Sequence, residues 1–258
     1  MFTTTPKFAC IAATIASLAW ASHAAASTPT VSWDMGDAPK SGVTEIRFPL
    51  RFDVTPDATG LYFAFYVPLI GGSRPYTGLQ PKARSSEGVH TFQAVFSSFS
   101  ASAQSDDANC FGGADGAKEG VSCSVRVDLK LGTFYSNRLT VKAGAGDGRD
   151  YYSGDIYNDL TGAKVAHIGS FSLLHTSGGN FATKATGGSG GFIEPYRKDG
   201  CSQSARVGYG APSGLAAGTI YRGDVPTISQ PKSGSCIVAT QSVRDGVNSV
   251  SVSPGDGP

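Results

Sequence analysis

Residues 46–54 read IRFPLRFDV, and their alternation of apolar and polar side chains decides the fold class. Every second residue is apolar, which places one set on a single face of an extended strand: Ile46, Phe48, Leu50, Phe52 and Val54. Residues 123–131, CSVRVDLKL, repeat this pattern. Such two-faced strands are typical of antiparallel sheets that are covered on one side.

Further strand-like segments follow along the chain, and none has the 3.6-residue spacing of an amphipathic helix. They are GLYFAFYVPL (60–69), VHTFQAVFSSF (89–99), RLTVKA (138–143) and AKVAHIGSFSLL (163–174). The 34 glycines and 14 prolines are scattered, as in a fold of many short strands and turns. The sequence therefore predicts an all-β fold, an antiparallel β-sandwich of jelly-roll or lectin-like type.

The N-terminus reads as an export signal. A short basic segment, MFTTTPK, precedes the apolar run FACIAATIASLAWA and a small-residue cleavage region, which predicts a signal peptide over residues 1–26 with cleavage after Ala26. The apolar run is shorter than the roughly 20 residues of a membrane span. We expect a secreted or periplasmic protein with no membrane span and a single β-sandwich domain over residues 27–258.

The charge balance excludes one class of partner. With Lys7 removed, the mature chain has 20 basic and 20 acidic residues, so its formal charge is zero. A neutral chain with no basic stripe predicts no nucleic-acid partner.

Four cysteines remain after processing, which suggests two disulfides in an exported protein. Three connectivities are possible, and the sequence-local one pairs Cys110 with Cys123 and Cys201 with Cys236. Free thiols are the alternative. We therefore expect a β-sandwich that is stabilised by disulfides.

An acidic segment, SDDANCFGGADGAKEG (105–120), is the one place where a metal ion is considered. It departs from the EF-hand pattern at the twelfth position, Lys118. Hard oxygen ligands for calcium are nevertheless available from Asp106, Asp107, Asn109 and Asp115. A solvated polar loop is the competing interpretation, and no other metal or cofactor is expected.

Aromatic and acidic residues crowd into DYYSGDIYND (150–159), as sugar recognition requires. Together with a histidine and the segment GFIEPYRKDGC (191–201), they form the predicted ligand-binding set: Tyr152, Asp155, Tyr157, Asp159, His167, Glu194 and Tyr196. The alternatives are that the tyrosines are ordinary strand formers and that His167 is a core histidine.

Five segments, in this order, carry a resemblance: YTGLQ (76–80), GVSCSV (120–125), YYSGDIYNDLTGAKVAHIGSF (151–171), GGFIEPY (190–196) with Cys201, and VGYGAPSG (207–214). They resemble a family of exported, largely uncharacterised microbial β-sandwich proteins. The resemblance implies that a set of residues are family-pattern positions: Gly154, Asp159, His167, Gly169, Phe192 and Glu194. It supports the fold and export and implies no reaction; Tyr152 stands where the family pattern has a tryptophan.

Two classes of function are predicted. The first is a non-catalytic carbohydrate-binding or cell-envelope interaction module with a glycan or cell-surface partner. The second is a polysaccharide-acting hydrolase or lyase that pairs Glu194 with Asp155 or Asp159. A structural domain without a small ligand is the third possibility.

The surroundings of Glu194 depend on a predicted hairpin. A two-residue turn at Asp199 and Gly200 places Glu194 opposite Ala205, free for a ligand. A turn one residue longer makes Arg206 its same-face neighbour, and this structural ion pair is the favoured interpretation. Either way, alternation puts Phe192, Glu194 and Tyr196 on one face.

Overall fold

The computed structural model describes residues 28–84, 90–114, 116–186, 189–231 and 234–255. The predicted signal peptide lies outside these residues and stays a prediction. The described residues form strands joined by turns: β1 (Thr30–Asp34), β2 (Glu45–Val54), β3 (Leu61–Tyr66), β4 (Tyr76–Pro81), β5 (Thr91–Ser98), β6 (Cys110–Gly112), β7 (Val121–Asp128), β8 (Phe134–Ala143), β9 (Arg149–Asn158), β10 (Lys164–Leu174), β11 (Lys184–Ala185), β12 (Phe192–Pro195), β13 (Ala205–Gly210), β14 (Ser213–Ala216), β15 (Thr219–Arg222), β16 (Thr227–Ser229), β17 (Ile237–Arg244) and β18 (Val247–Pro254). A 3-10 turn covers Lys198–Ser202.

The strands of the described residues form two antiparallel sheets of nine strands each. The first has the order β11-β1-β12-β3-β4-β5-β7-β6, with β16 beside β1. The second has the order β10-β9-β8-β2-β13-β18-β17, with β14 on β2 and β15 on β14. The chain passes repeatedly from one sheet to the other, and the all-β sandwich prediction is confirmed.

The core lies between the sheets and follows the predicted alternation. Phe48 and Phe52 of β2 are buried and contact Phe65 and Phe63 of β3, with ring centroids 4.4 and 5.2 Å apart. The alternation fails only at the strand end, where Val54 is exposed. No helix in the described part of the chain is long and apolar enough to cross a membrane.

Both predicted disulfides are present, Cys110–Cys123 and Cys201–Cys236. The first joins directly opposed residues of β6 and β7. Gly169 of β10 crosses this bridge so closely that a Cβ there would lie 2.5 Å from the Cys123 Cβ. Its φ of 152° is also one that side chains disfavour, so a glycine is needed at this position.

The hairpin predicted after Glu194 is wrong in both registers. Strand β12 pairs with β1 and β3 in the first sheet, whereas β13 pairs with β2 and β18 in the second. The 3-10 turn carries the chain between the sheets, so Ala205 is not the cross-strand partner of Glu194. The predicted Glu194–Arg206 ion pair is wrong as well, since Arg206 lies 3.8 Å from Asp53.

Candidate functional site

The outer face of the first sheet carries a second apolar cluster, separate from the core between the sheets. Its buried members are Tyr62, Ala64, Tyr76 and Val95, and its partly buried members are Tyr66, Phe192 and Tyr196. We call these seven residues the aromatic face. A sheet surface turned away from the core normally carries polar residues, so this concentration of rings needs a functional explanation.

The sequences of strands β3 and β4 explain how this face forms. Strand β3, LYFAFY, is apolar at every position, so it covers the core with one set of residues and the outer face with the other. Ala64 lies directly opposite Gly78, and these small residues leave room for the surrounding rings to meet. Ring centroids of Tyr62 and Phe192 lie 5.4 Å apart, and those of Tyr66 and Phe192 lie 5.2 Å apart.

A row of polar side chains crosses the sheet beside the rings. Glu194 lies opposite Tyr62. One position beyond the Phe63–Leu79 pair, Tyr62 faces Gln80, which in turn lies opposite Gln93. Residues in one row share a face of the sheet. With strands about 4.8 Å apart, the Cα atoms of Glu194 and Gln80 are about 10 Å apart, on either side of Tyr62.

Lys82 fixes the orientation of the Gln80 amide. The Lys82 ammonium donates to Gln80 Oε1 and to the Tyr196 hydroxyl, each at 3.0 Å. Because an ammonium group can only donate, the atom that it contacts on Gln80 is the carbonyl oxygen. The Gln80 Nε2 group then carries the two N–H donors of this amide. Gln93 is held separately, since its Nε2 donates to Ser124 Oγ at 2.9 Å.

The other predicted ligand residues lie in the second sheet. Asp155 projects from the outer face of β9, because its neighbours Gly154 and Ile156 are turned to the core. Asp159 follows the end of the same strand. Glu194 is on the outer face of the opposite sheet, with the core between them. The predicted acid–base pair of Glu194 with Asp155 or Asp159 is therefore wrong.

The two predicted tyrosines of β9 differ in environment. Tyr152 is buried in the core and donates its hydroxyl to the Gly179 carbonyl at 2.8 Å, and burial raises its pKa. A buried core residue does not offer its ring to a ligand. Tyr157 lies on the outer face, where its hydroxyl accepts a hydrogen bond from Arg138 Nη1 at 2.8 Å.

His167 bridges two carboxylates. Its Nδ1 lies 2.8 Å from Asp155 Oδ1, and its Nε2 lies 2.8 Å from Asp107 Oδ2. Lys164 also pairs with Asp155 at 2.6 Å. Asp159 accepts from Ser136 Oγ at 2.9 Å, and burial raises its pKa. These side chains form hydrogen bonds and ion pairs with one another, so a structural role accounts for the cluster without a ligand.

Of the residues in the calcium prediction, Asp115 lies outside the described residues, and calcium binding stays a prediction. Asp107 is engaged by His167 and by the backbone N–H of Asn109. The described residues contain no group of three or more His, Cys, Asp or Glu placed to hold a metal ion.

The structure thus brings Glu194 and Tyr196 together and separates them from the other predicted residues. Sequence reasoning missed the contributions of Tyr62, Gln80 and Gln93. A signal was present in LYFAFY, because a strand that is apolar at every position must have both faces covered.

No protein-family model matches the sequence, and no curated protein matches it either. Among solved structures, a Scytalido-glutamic peptidase bound to a peptide-based transition state analogue is similar over 89% of this chain and 98% of its own, with 15% identity and a TM-score of 0.44. Tailspike protein 2 of an Escherichia coli O157:H7 bacteriophage is similar over 68% of this chain and 20% of its own, with 13% identity and a TM-score of 0.27. The enzymatically active domain of a bacteriophage CBA120 tailspike protein 2 is similar over 74% of this chain and 29% of its own, with 13% identity and a TM-score of 0.27. The chain spans less than a third of either tailspike chain.

Proposed function

We propose that this protein is a secreted binding module that holds an extended polymer, carbohydrate in the first instance, across the aromatic face. The observation that carries the proposal is the row of Glu194, Gln80 and Gln93 beside a floor of partly exposed rings. Carbohydrates present apolar C–H faces to rings and hydroxyls to carboxylates and amides.

The shape of the site suits a chain better than a single small group. From Glu194 to Gln93 the row crosses four neighbouring strands, which spans about 14 Å. Phe192 lies two residues before Glu194 on the same face, and its ring contacts that of Tyr66. These two partly exposed rings extend the site from the row along the strands.

Export is supported by the two disulfides, which are typical of oxidising compartments. The neutral charge of the mature chain also favours an uncharged ligand at this face over a strongly charged one.

A glycan-array screen of the full chain, followed by titration calorimetry on the glycans that bind, tests the proposal. We expect Tyr66→Ala to weaken binding about tenfold, equivalent to about 1.4 kcal/mol. Tyr151→Ala is the matched control, because Tyr151 is exposed on the opposite sheet. Absence of glycan binding, or an equal loss in both variants, would contradict the proposal.

Hydrolysis is the second candidate, favoured by the way Lys82 orients Gln80. A glycosidase needs two carboxylates, and the described positions of the row contain only Glu194. Hydrolysis of an acyl bond instead needs a base and a hydrogen-bond donor for the oxyanion. Glu194 would take a proton from the attacking water while Gln80 Nε2 donates to the carbonyl oxygen that becomes negative. The protonated Glu194 would then return the proton to the departing alcohol or amine as the acyl bond breaks.

This candidate predicts cleavage of an ester or amide bond in a polymer. Turnover is measured as acid or amine released from acetylated polysaccharides and from unfolded polypeptide. Glu194→Gln and Gln80→Leu are each expected to lower kcat at least a hundredfold. Turnover that survives Glu194→Gln would exclude Glu194 as the base. Binding without any turnover would exclude the hydrolase and support the binding module.

A further inference from the structure

A cavity lies on the outer face of the second sheet, on the side of the molecule opposite to the aromatic face. Its volume is about 360 Å³. Arginine is the most frequent residue type among those that line it: Glu45, Arg47, Arg138, Ser213, Gly214, Leu215, Ile220 and Arg222. We call it the arginine cavity.

Strand register brings the arginines together. Arg47 of β2 lies directly opposite Arg138 of β8. On its other side Arg47 faces Ser213 of β14, and Ser213 faces Arg222 of β15. Like charges placed directly opposite one another destabilise a sheet, so this arrangement needs compensation.

Glu45 compensates two of the three cations. It is buried, and its carboxylate accepts from Arg47 Nε at 2.7 Å and from Arg138 Nη2 at 2.6 Å. Burial by itself would raise the pKa of Glu45, but the hydrogen bonds from Arg138 and Arg47 outweigh it and the pKa is lowered. Glu45 therefore stays ionised and holds both guanidinium groups in place.

The ring of Tyr157 packs against the guanidinium groups of Arg47 and Arg138. Its ring centroid lies 5.0 Å from the Arg138 guanidinium carbon and 5.8 Å from that of Arg47. Arg138 Nη1 also donates to the Tyr157 hydroxyl. Both guanidinium groups are thus ordered before any ligand arrives, which lowers the entropy cost of binding.

An excess of positive charge remains. Three arginines and one glutamate give the lining a formal charge of +2. Within the described chain, Arg222 has no carboxylate within 4.0 Å, and the buried Arg138 Nε has no hydrogen-bond partner. Nearby Asp155 does not neutralise the cavity, because it is engaged by Lys164 and His167.

We propose that the arginine cavity binds an oxyanion, the carboxylate or sulfate group of an anionic ligand. Guanidinium groups match the geometry of such oxygens and bind them through paired hydrogen bonds. Arg222 supplies the uncompensated charge, and Arg47 and Arg138 supply positioned donors. Leu215 and the exposed Ile220 form an apolar wall for the remainder of the ligand.

Titration calorimetry of the full chain with sodium glucuronate, and separately with sodium sulfate, tests this inference. Glucose and sodium chloride at equal ionic strength are the ligand controls. We expect saturable binding of at least one of the two anions, weakened at least tenfold by Arg222→Gln and reduced by added salt. Arg222 makes no ion pair in the described chain, so its loss leaves the fold intact.

Arg244→Gln is the matched control, because Arg244 is exposed in the β17–β18 hairpin and pairs only with Asp245 there. Binding that is lost in Arg222→Gln and kept in Arg244→Gln supports the site. An absence of binding by both anions, unchanged binding in Arg222→Gln, or an equal loss in Arg244→Gln overturns it. A response to glucuronate alone identifies a carboxylate site, and one to both anions identifies a general oxyanion site.

Discussion

Two tyrosines of the core, Tyr152 and Tyr209, differ in whether their buried hydroxyl group has a hydrogen-bond partner. Tyr152 and Tyr209 are each at most 1% exposed. The hydroxyl of Tyr152 donates to the Gly179 carbonyl, whereas that of Tyr209 has no hydrogen-bond partner among the described residues. Burial raises the pKa of both phenols, so both are protonated at neutral pH.

Removing these hydroxyls is therefore expected to have opposite effects on stability. Tyr209→Phe removes a buried group that has no partner and keeps the ring contact with Phe65, so the free energy of unfolding rises by about 1 kcal/mol. Tyr152→Phe leaves the Gly179 carbonyl without its donor, so the free energy of unfolding falls by about 1 kcal/mol. Urea denaturation of the two variants measures both changes; a loss of stability in Tyr209→Phe contradicts the prediction.

At the scale of an element, hydrogen bonds of His167 attach the segment before β6 to the edge strand β10. Asp107 reaches the imidazole Nε2, and Asn109 Nδ2 donates to the His167 carbonyl at 3.0 Å. Burial would lower the pKa of His167, but the hydrogen bonds that its imidazole donates to Asp155 and Asp107 outweigh burial, and the pKa is raised. The pKa of Asp107 is lowered, because the hydrogen bonds that its carboxylate accepts from the Asn109 backbone N–H and from His167 outweigh burial.

These pKa shifts determine the pH range in which the hydrogen bonds of His167 contribute to stability. A raised histidine pKa gives a contribution that is complete below the ordinary value of 6.5 and is lost as the pH rises through the folded-state value. A lowered aspartate pKa gives one that is present above 3.8 and is lost as the pH falls through its folded-state value. The contribution is therefore largest between those two ordinary values.

We expect His167→Gln to reduce the free energy of unfolding more at about pH 5.5 than at about pH 8.5. At each pH, the free energy of unfolding of this variant is compared with that of the unchanged protein. Asp107→Asn is the second variant and should reduce the pH dependence, because it removes one of the two carboxylates. Equal losses for His167→Gln at both pH values, measured by urea denaturation, would show that the histidine acts only by packing.

At the scale of the whole molecule, the Cys201–Cys236 disulfide joins distant parts of the fold. Cys201 lies in the 3-10 turn where the chain leaves the first sheet, and Cys236 lies just before β17 of the second. Their sequence separation is 35, against 13 for Cys110 and Cys123. A longer loop loses more unfolded-state entropy on closure.

Replacing Cys201 and Cys236 together by alanine is expected to lower the free energy of unfolding by about 4 kcal/mol. Replacing Cys110 and Cys123 together is expected to cost somewhat less, about 3 kcal/mol, because that loop is shorter. Urea denaturation of the two double variants compares them. The opposite ranking would show that native-state packing of the bridges outweighs loop entropy.

Sequence alone determined the features that depend on neighbouring residues. The alternation in IRFPLRFDV sets which side chains of β2 face the core, because successive residues of a strand point to opposite sides. The same rule placed Phe192 and Tyr196 with Glu194 on one face. The two disulfides were predicted as the sequence-local pairs, and both are present.

Only the tertiary structure decided which strands lie side by side. Glu194 lies opposite Tyr62 and in the same row as Gln80, both more than a hundred residues earlier in the chain, and not in a hairpin with the segment that follows it. The arginine cavity likewise joins β2, β8 and the β14–β15 hairpin, which are far apart in sequence. The physical reason is that alternation specifies the face of a strand but not its neighbour. The neighbour is chosen by packing of the whole core, which no local pattern contains.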